Sequence, residues 1–475
     1  MDGTPSSTPD AAPTSRPTLT PEGEGAVVVD PFLISISTET NQTIYLWQAE
    51  SGQFLPLREL PPQMSLHQQE VTILDNQGQM VERTIPAGLH LRLMYLSPDA
   101  RTLALLQPAL GGRPNYLHQM DLTSGEIVSI KLLEDFQLTI PGLPARAPIW
   151  QGGPPRYEVL RSVEDIFQNL VWRPDSSGFA FTIGVPISII GDDPQQLYFV
   201  ERGSEEVLLL GADAPGIDIG HRAQWSPDGR YISCQRPSDL YGSWMIDMEE
   251  PRSAVRVAPR FTAIVWSADG ASYFFEDYQV EGDQLTALLQ RSDPETNSPS
   301  TILSLWGRPD ELIRYMPIGQ SSISGRLIVS EQHKTAVDPE AELRIYEFDP
   351  ATSRLLVLDL DTGETTTSLD GMGPYDFSPA PSNDVLLVKD RKSEEAFNLD
   401  TSTGSITHGP SAELYRLAAW SPDSRFLAGT SETQVLIFDL ETGELLQLSV
   451  GVRGEIVFLG WVPDQSVFDE VLANP

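Results

Sequence analysis

The sequence is short of several things, and each shortage removes a class of protein. It has one cysteine, Cys234, in 475 residues, so no intrachain disulfide can form, and no Cys/His spacing suggests a zinc site. That thiol lies in the strand-like run Tyr231-Ile232-Ser233-Cys234 and reads as buried and inert. Lysine occurs only at 131, 334, 389 and 392; the other basic residues are arginine. Basic residues number 31 against 67 acidic ones, a formal net charge of −36. Such a surface repels phosphate backbones and matches neither nucleic acid nor an anionic membrane. It favours solubility, or the steering of cations or of a basic partner. No apolar run approaches the roughly 18–20 residues that span a bilayer. A Gly-x-Ser-x-Gly elbow, a phosphate-binding glycine loop and an intact calcium loop are all missing. Asp359-Leu360-Asp361-Thr362-Gly363-Glu364 has an acidic look but reads better as a hairpin tip. The six histidines (67, 90, 118, 221, 333, 408) are far apart. His90 and His221, each just ahead of a strand, form the pair to watch for a metal, but neither a metal nor a cofactor is expected.

Glycine (36) and proline (39), by contrast, are frequent and spread along the whole chain, which suits many short strands joined by turns and predicts an all-β fold. Within it one turn recurs: Leu96-Ser97-Pro98-Asp99, Trp172-Arg173-Pro174-Asp175, Trp225-Ser226-Pro227-Asp228-Gly229, Trp266-Ser267-Ala268-Asp269-Gly270, Phe377-Ser378-Pro379, Trp420-Ser421-Pro422-Asp423 and Trp461-Val462-Pro463-Asp464. Each has an apolar approach and most are followed by a short β-run. The closest spacings, 41 to 43 residues, match one four-stranded propeller blade. A second motif follows in phase: Tyr116 to Glu126 resembles Val435 to Glu444, and Phe397 to Gly404 repeats it, a strand ending in a hairpin with glycine near its tip. The turn's chemistry is structural. Proline pre-sets φ, aspartate bonds nearby backbone and glycine tolerates the exit conformation. The flat aromatic suits the wedge between blades. These conspicuous Trp and Asp residues are therefore read as architecture, not catalysis.

On these residues the chain resembles the TolB-like propeller repeats, relatives of the WD repeat whose blades carry a Trp-Ser-Pro-Asp-Gly turn. The resemblance covers most of the chain after about Phe32. Departures are Leu96 and Phe377 in place of Trp, Ala268 in place of Pro, and no Asp after Pro379. The implied fold is a single closed β-propeller, with eight blades expected and seven the alternative. Phe32–Ile36, Thr43–Trp47 and Phe54–Leu57 look like the second to fourth strands of a blade lacking its first, while Glu455 to Trp461 looks like a first strand with no blade behind it. The C-terminal strand is expected to complete the N-terminal blade and so remove exposed edges. Leu312 to Pro317 and Arg326 to Val329 are read as the first two strands of a degenerate blade.

The propeller is placed at residues 29–468. Residues 1–28, rich in Thr, Pro and Ser, read as a flexible tether, and 469–475 as a flexible tail. A tether ahead of a folded body is what remains after a secretory or lipoprotein signal is removed, with Met1 supplied for expression, so an extracytoplasmic protein is expected. Stretches 62–88 and 131–165 exceed what a blade needs and mark long loops on a rigid scaffold.

Candidate binding residues lie just ahead of the turns, where first strands begin at the mouth of the central channel: Arg92, Gln168, His221, Arg222, Arg260, Arg314, Tyr415, Arg416 and Arg453. A ring of guanidinium groups within an acidic surface would focus an anionic or carboxylate-bearing ligand. The same arginines could instead pair with carboxylates of neighbouring blades as structural bridges. The resemblance implies a non-catalytic scaffold for a protein or peptide partner, monomeric unless part of an assembly. Two alternatives stay open: a propeller enzyme, lyase or hydrolase, acting on an acidic polysaccharide, and a structural part of an extracellular assembly.

Overall fold

The computed structural model describes residues 28–38, 41–61, 69–74, 80–85, 94–107, 116–131, 170–184, 195–213, 221–235, 242–258, 264–281, 284–307, 311–321, 324–336, 346–371, 375–390, 395–409, 419–431, 434–452 and 454–473. Residues 1–27 of the tether and most of the 131–165 stretch lie outside them. The strands form eight four-stranded antiparallel sheets and one two-stranded hairpin, Gln69–Leu74 with Met80–Ile85, within the 62–88 stretch.

The eight sheets are the blades of a ring. Blade 1 joins Glu455–Trp461 to Phe32–Ser37, Gln42–Gln48 and Gln53–Glu59. Blades 2 to 8 follow in chain order at 94–131, 170–209, 221–258, 265–306, 311–370, 375–408 and 419–449. First strands are innermost, several lying beside those of the neighbouring blades. Eight blades are therefore present, and the C-terminal strand does complete the first of them. We call the end where first strands begin the mouth end, and the opposite end, where first strand turns into second, the turn end.

The recurrent turn is built as its residues demand. Ser226 Oγ donates to Asp228 Oδ1 (2.6 Å) and accepts from Tyr231 N (2.8 Å), while Asp228 Oδ1 accepts from Arg230 N (3.0 Å). The same three bonds recur at Ser97/Asp99, Ser267/Asp269 and Ser421/Asp423. Gly229 takes φ +71°, the left-handed region where glycine is unstrained. A main-chain bond from Ser226 N to Tyr231 O (2.8 Å) closes the turn. In blade 1 no turn connects the strands, because they come from opposite ends of the chain. Val462 N nevertheless donates to Pro31 O (2.8 Å), which reproduces the turn-closing bond across the seal. The Asp359 segment is a hairpin tip, with Asp359 Oδ1 accepting from Asp361 N and Thr362 N.

In four blades the tryptophan that ends the first strand reaches back to the blade before it, onto the residue preceding that blade's own equivalent. The indole N–H of Trp172 donates to Tyr95 O, that of Trp225 to Val171 O and that of Trp461 to Ala419 O, at 3.0–3.1 Å. Trp420 donates to Ser378 Oγ (2.9 Å). Where a smaller residue stands, the neighbour is glycine: a Cβ on Gly460 would lie 3.0 Å from Leu96, and one on Gly319 would lie 3.1 Å from Pro379. This geometry corrects one expectation. Phe377-Ser378-Pro379 lies inside the first strand, Tyr375–Pro379, and the turn of blade 7 is Ala380-Pro381-Ser382-Asn383, closed by Ala380 N to Val385 O (3.0 Å).

Beyond the last blade, Gln465–Phe468 forms a 3₁₀ turn and Asp469–Ala473 a short α-helix. Phe468 is fully buried, and Val471 and Leu472 of the expected tail pack on the core shared by blades 1 and 2.

Candidate functional site

Of the nine candidate residues, Arg314 is described in full. His221 and Arg222 open the first strand of blade 4, His221–Trp225, with only their backbone described. Arg92, Gln168, Arg260, Tyr415, Arg416 and Arg453 lie outside the described residues, as does His90.

Arg314 sits in the first strand of blade 6, Glu311–Gln320. Its guanidinium makes a two-pronged ion pair with Glu276 of blade 5, Nε to Oε1 at 3.0 Å and Nη2 to Oε2 at 2.8 Å. Glu276 is only 3% exposed and follows Phe274-Phe275 in the second strand, Tyr273–Glu281. The Tyr278 hydroxyl donates to Glu276 Oε1 as well. The bond to Glu276 holds the Arg314 pKa above its usual value, whereas burial, then the neighbouring carboxylate, drives Tyr278 up. A carboxylate this buried is tolerated only because it is paired and hydrogen-bonded.

A second buried carboxylate lies in blade 6, the blade of Arg314. Glu331, 1% exposed, accepts from Arg354 Nε (2.7 Å) and faces His333 Nε2 at 3.0 Å, while His333 Nδ1 faces Glu311 at 2.6 Å. Burial alone would raise Glu331, but the bonds from His333 and Arg354 hold it below the usual carboxylate range. His333 is raised, chiefly by its bond to Glu331, and is clamped between two carboxylates. Burial and then the charge of Arg314 lower Lys334. Both ring nitrogens of His333 and two guanidinium nitrogens of Arg314 are engaged inside the protein, which suits a rigid, charge-matched seam better than proton transfer to a ligand.

The same two blades project. The second and third strands of blade 5, Tyr273–Glu281 and Gln284–Ser292, have nine residues each, against five in the second strands of blades 4 and 8. Four additional residues are about 13 Å of strand, and the pairing of Tyr273 with Trp266 beside the turn places them at the mouth end. Their tips carry exposed apolar side chains, Val280 (59%) and, on the outer strand Ser300–Trp306, Trp306 (53%). The register, Val280 opposite Leu285 and Trp306 opposite Thr286, sets these two on opposite faces of the projection.

Sequence reasoning missed Glu276, Glu331, His333, Val280 and Trp306, because no motif carries them. One signal was present: a carboxylate directly after two phenylalanines within a strand. Among the described residues no group of three or more His, Cys, Asp or Glu is placed to hold a metal ion. Cys234 is fully buried, which pushes its thiol well above the usual range. No helix among the described residues is long and apolar enough to cross a membrane.

The strand pairing thus defines the chain as an eight-bladed β-propeller. No family model matches the sequence, and no curated protein does either. Among solved structures, apo AztD from Citrobacter koseri overlaps at 11% identity and TM-score 0.43, covering 91% of this chain and 99% of that one. TolB from Acinetobacter baumannii overlaps at 11% identity and TM-score 0.33, covering 74% and 80%. An oligogalacturonate lyase in complex with manganese overlaps at 13% identity and TM-score 0.37, covering 93% and 88%. The fold assignment rests on the strand pairing described above, not on these overlaps.

Proposed function

We propose that this propeller is a non-catalytic scaffold that holds a protein or peptide partner at the mouth end, in an extracytoplasmic compartment and tethered to the cell envelope. The observation that carries this reading is the projecting tip of blade 5, with Val280 and Trp306 exposed on a well-paired sheet. Exposed tryptophan on a rigid element is the residue type that most often anchors a protein interface. The resemblance of the turn to TolB-like repeats supports the same reading, as does a composition suited to an exported, soluble body. An anionic group on the partner would be received by the arginines expected around the channel.

The test compares wild-type and Trp306→Ala chains as bait against an envelope extract from the source cells. A specific partner retained by the wild type and reduced about tenfold or more by the variant, with an unchanged melting temperature, is expected. Equal recovery by both chains would remove the tip from the interface. Cleavage of acidic polysaccharides by the purified chain would replace the scaffold reading with the enzyme one.

A further inference from the structure

A concavity lies at the other end of the ring from the blade 5 tip. At the turn end, between blades 3 and 4, a groove of about 640 Å³ has an apolar floor that includes Phe199, Leu208 and Met248, and a rim bearing Glu201, Glu206 and Glu249. The floor is pre-set. Phe199 packs edge-on against Trp225 of the recurrent turn, with ring centroids 5.9 Å apart. It lies so close over Gly178 that a Cβ there would fall 2.6 Å from the ring. Leu208 is 37% exposed, in the short fourth strand Val207–Leu209, whose outer edge pairs with no strand among the described residues.

The charge of the groove follows from what its arginines already do. Arg230 is held by Asp247 (2.9 Å) and Glu295 (3.0 Å), with the exposed Glu249 carboxylate farther off at 3.7 Å. Arg173, which replaces the serine of the turn, donates from Nε to Gly229 O (2.8 Å) and pairs with Asp175 (3.7 Å). With both guanidinium groups engaged, and with Glu201 and Glu206 in no ion pair among the described residues, the groove presents net negative charge around an apolar floor.

We propose that this groove docks an extended segment of a partner protein in which an apolar side chain is flanked by lysine or arginine. The apolar side chain covers Phe199, Leu208 and Met248; the flanking cations meet Glu201, Glu206 and Glu249. The segment's backbone adds to the free edge of Val207–Leu209, the usual way an exposed strand accepts a peptide. The site is distinct from the mouth-end tip and rests on the scaffold reading only in that both are binding surfaces, so the two can be occupied together.

The experiment titrates a fluorescent decapeptide of alternating lysine and leucine against the full chain, followed by anisotropy. Two control peptides replace leucine by glycine, or lysine by glutamate. Two variants are compared, Glu206→Lys with Glu249→Lys, and Trp306→Ala. The expected result is binding of the Lys-Leu peptide, loss on the order of tenfold for each control and for the double charge reversal, and no change with Trp306→Ala. The proposal is overturned if no binding is seen, if the Lys-Gly peptide binds equally, which would assign the effect to the bulk acidic surface, or if the charge reversal is silent. Loss in Trp306→Ala would move the peptide to the mouth end, ending this proposal while leaving the scaffold reading intact.

Discussion

The seam between blades 3 and 4 and the seam between blades 5 and 6 join the same kind of sheet by different means. In the first, Trp225 donates its N–H to Val171 O and packs edge-on against Phe199. In the second no tryptophan is available, and Gln320 ends the first strand of blade 6. Its Oε1 accepts from Ala268 N (2.9 Å), and the depth of the seam is held by the Arg314–Glu276 pair. The aromatic seam gains mainly from apolar burial, which is undirected and tolerant. The polar seam depends on every charge keeping its partner. Polar joining also explains a departure in the motif. Proline at 268 would have no amide to give to Gln320, so alanine stands there.

The contrast is broken most severely at its deepest charge. Arg314→Met takes the guanidinium away from buried Glu276 and is expected to cost about 3 kcal/mol, measured as the shift in the urea midpoint. Adding Glu276→Leu should restore most of the loss, because the pair is then replaced by apolar packing. Arg252→Met, which removes an ion pair to Asp213 exposed on both sides, should leave the midpoint unchanged.

A smaller effect sharpens the role of the turn. Ala268→Pro makes the blade 5 turn conform to its repeat, and proline at a compatible turn position would ordinarily stabilise. Here it should destabilise by about 1 kcal/mol, the worth of one hydrogen bond. In a Gln320→Ala background the same change should lose that cost, which a double-mutant cycle reads directly.

The smallest effect is on pH dependence, and it separates two histidines. His333 has a raised pKa in its carboxylate clamp, so its stabilisation is complete below the unfolded value of about 6.5 and is lost as pH rises through the raised value. His118, in blade 2, is buried beside Ser129, and burial lowers it to about 4. Its contribution is present above about pH 6.5 and is lost as pH falls toward the lowered value. Melting temperatures across this range should show both limbs, with His333→Gln flattening only the alkaline one.

Several of these features were legible beforehand. An N-terminal blade without a first strand and a C-terminal strand without a blade announce their pairing in sequence, because each has unmet backbone bonds. The Trp-Ser-Pro-Asp turn is equally legible because its bonds are local, spanning at most five residues. Blade 7 was misplaced because its sequence offers two Ser-Pro or Ala-Pro steps in succession, and only the bond from Ala380 to Val385 chooses between them. The partner of Arg314 was not legible, since Glu276 lies in another blade and no spacing rule links them.

By itself, then, the amino-acid sequence determined the all-β class, the blade repeat, the turn chemistry and the seal, all of which depend on local backbone geometry or on a strand that must find an edge. Tertiary structure alone decided what fills each seam. Leu96 is matched by Gly460, Pro379 by Gly319, Gln320 by Ala268 and Arg314 by Glu276. Shape and charge at an interface between blades are properties of two surfaces at once, and the ring brings those surfaces together from distant parts of the chain.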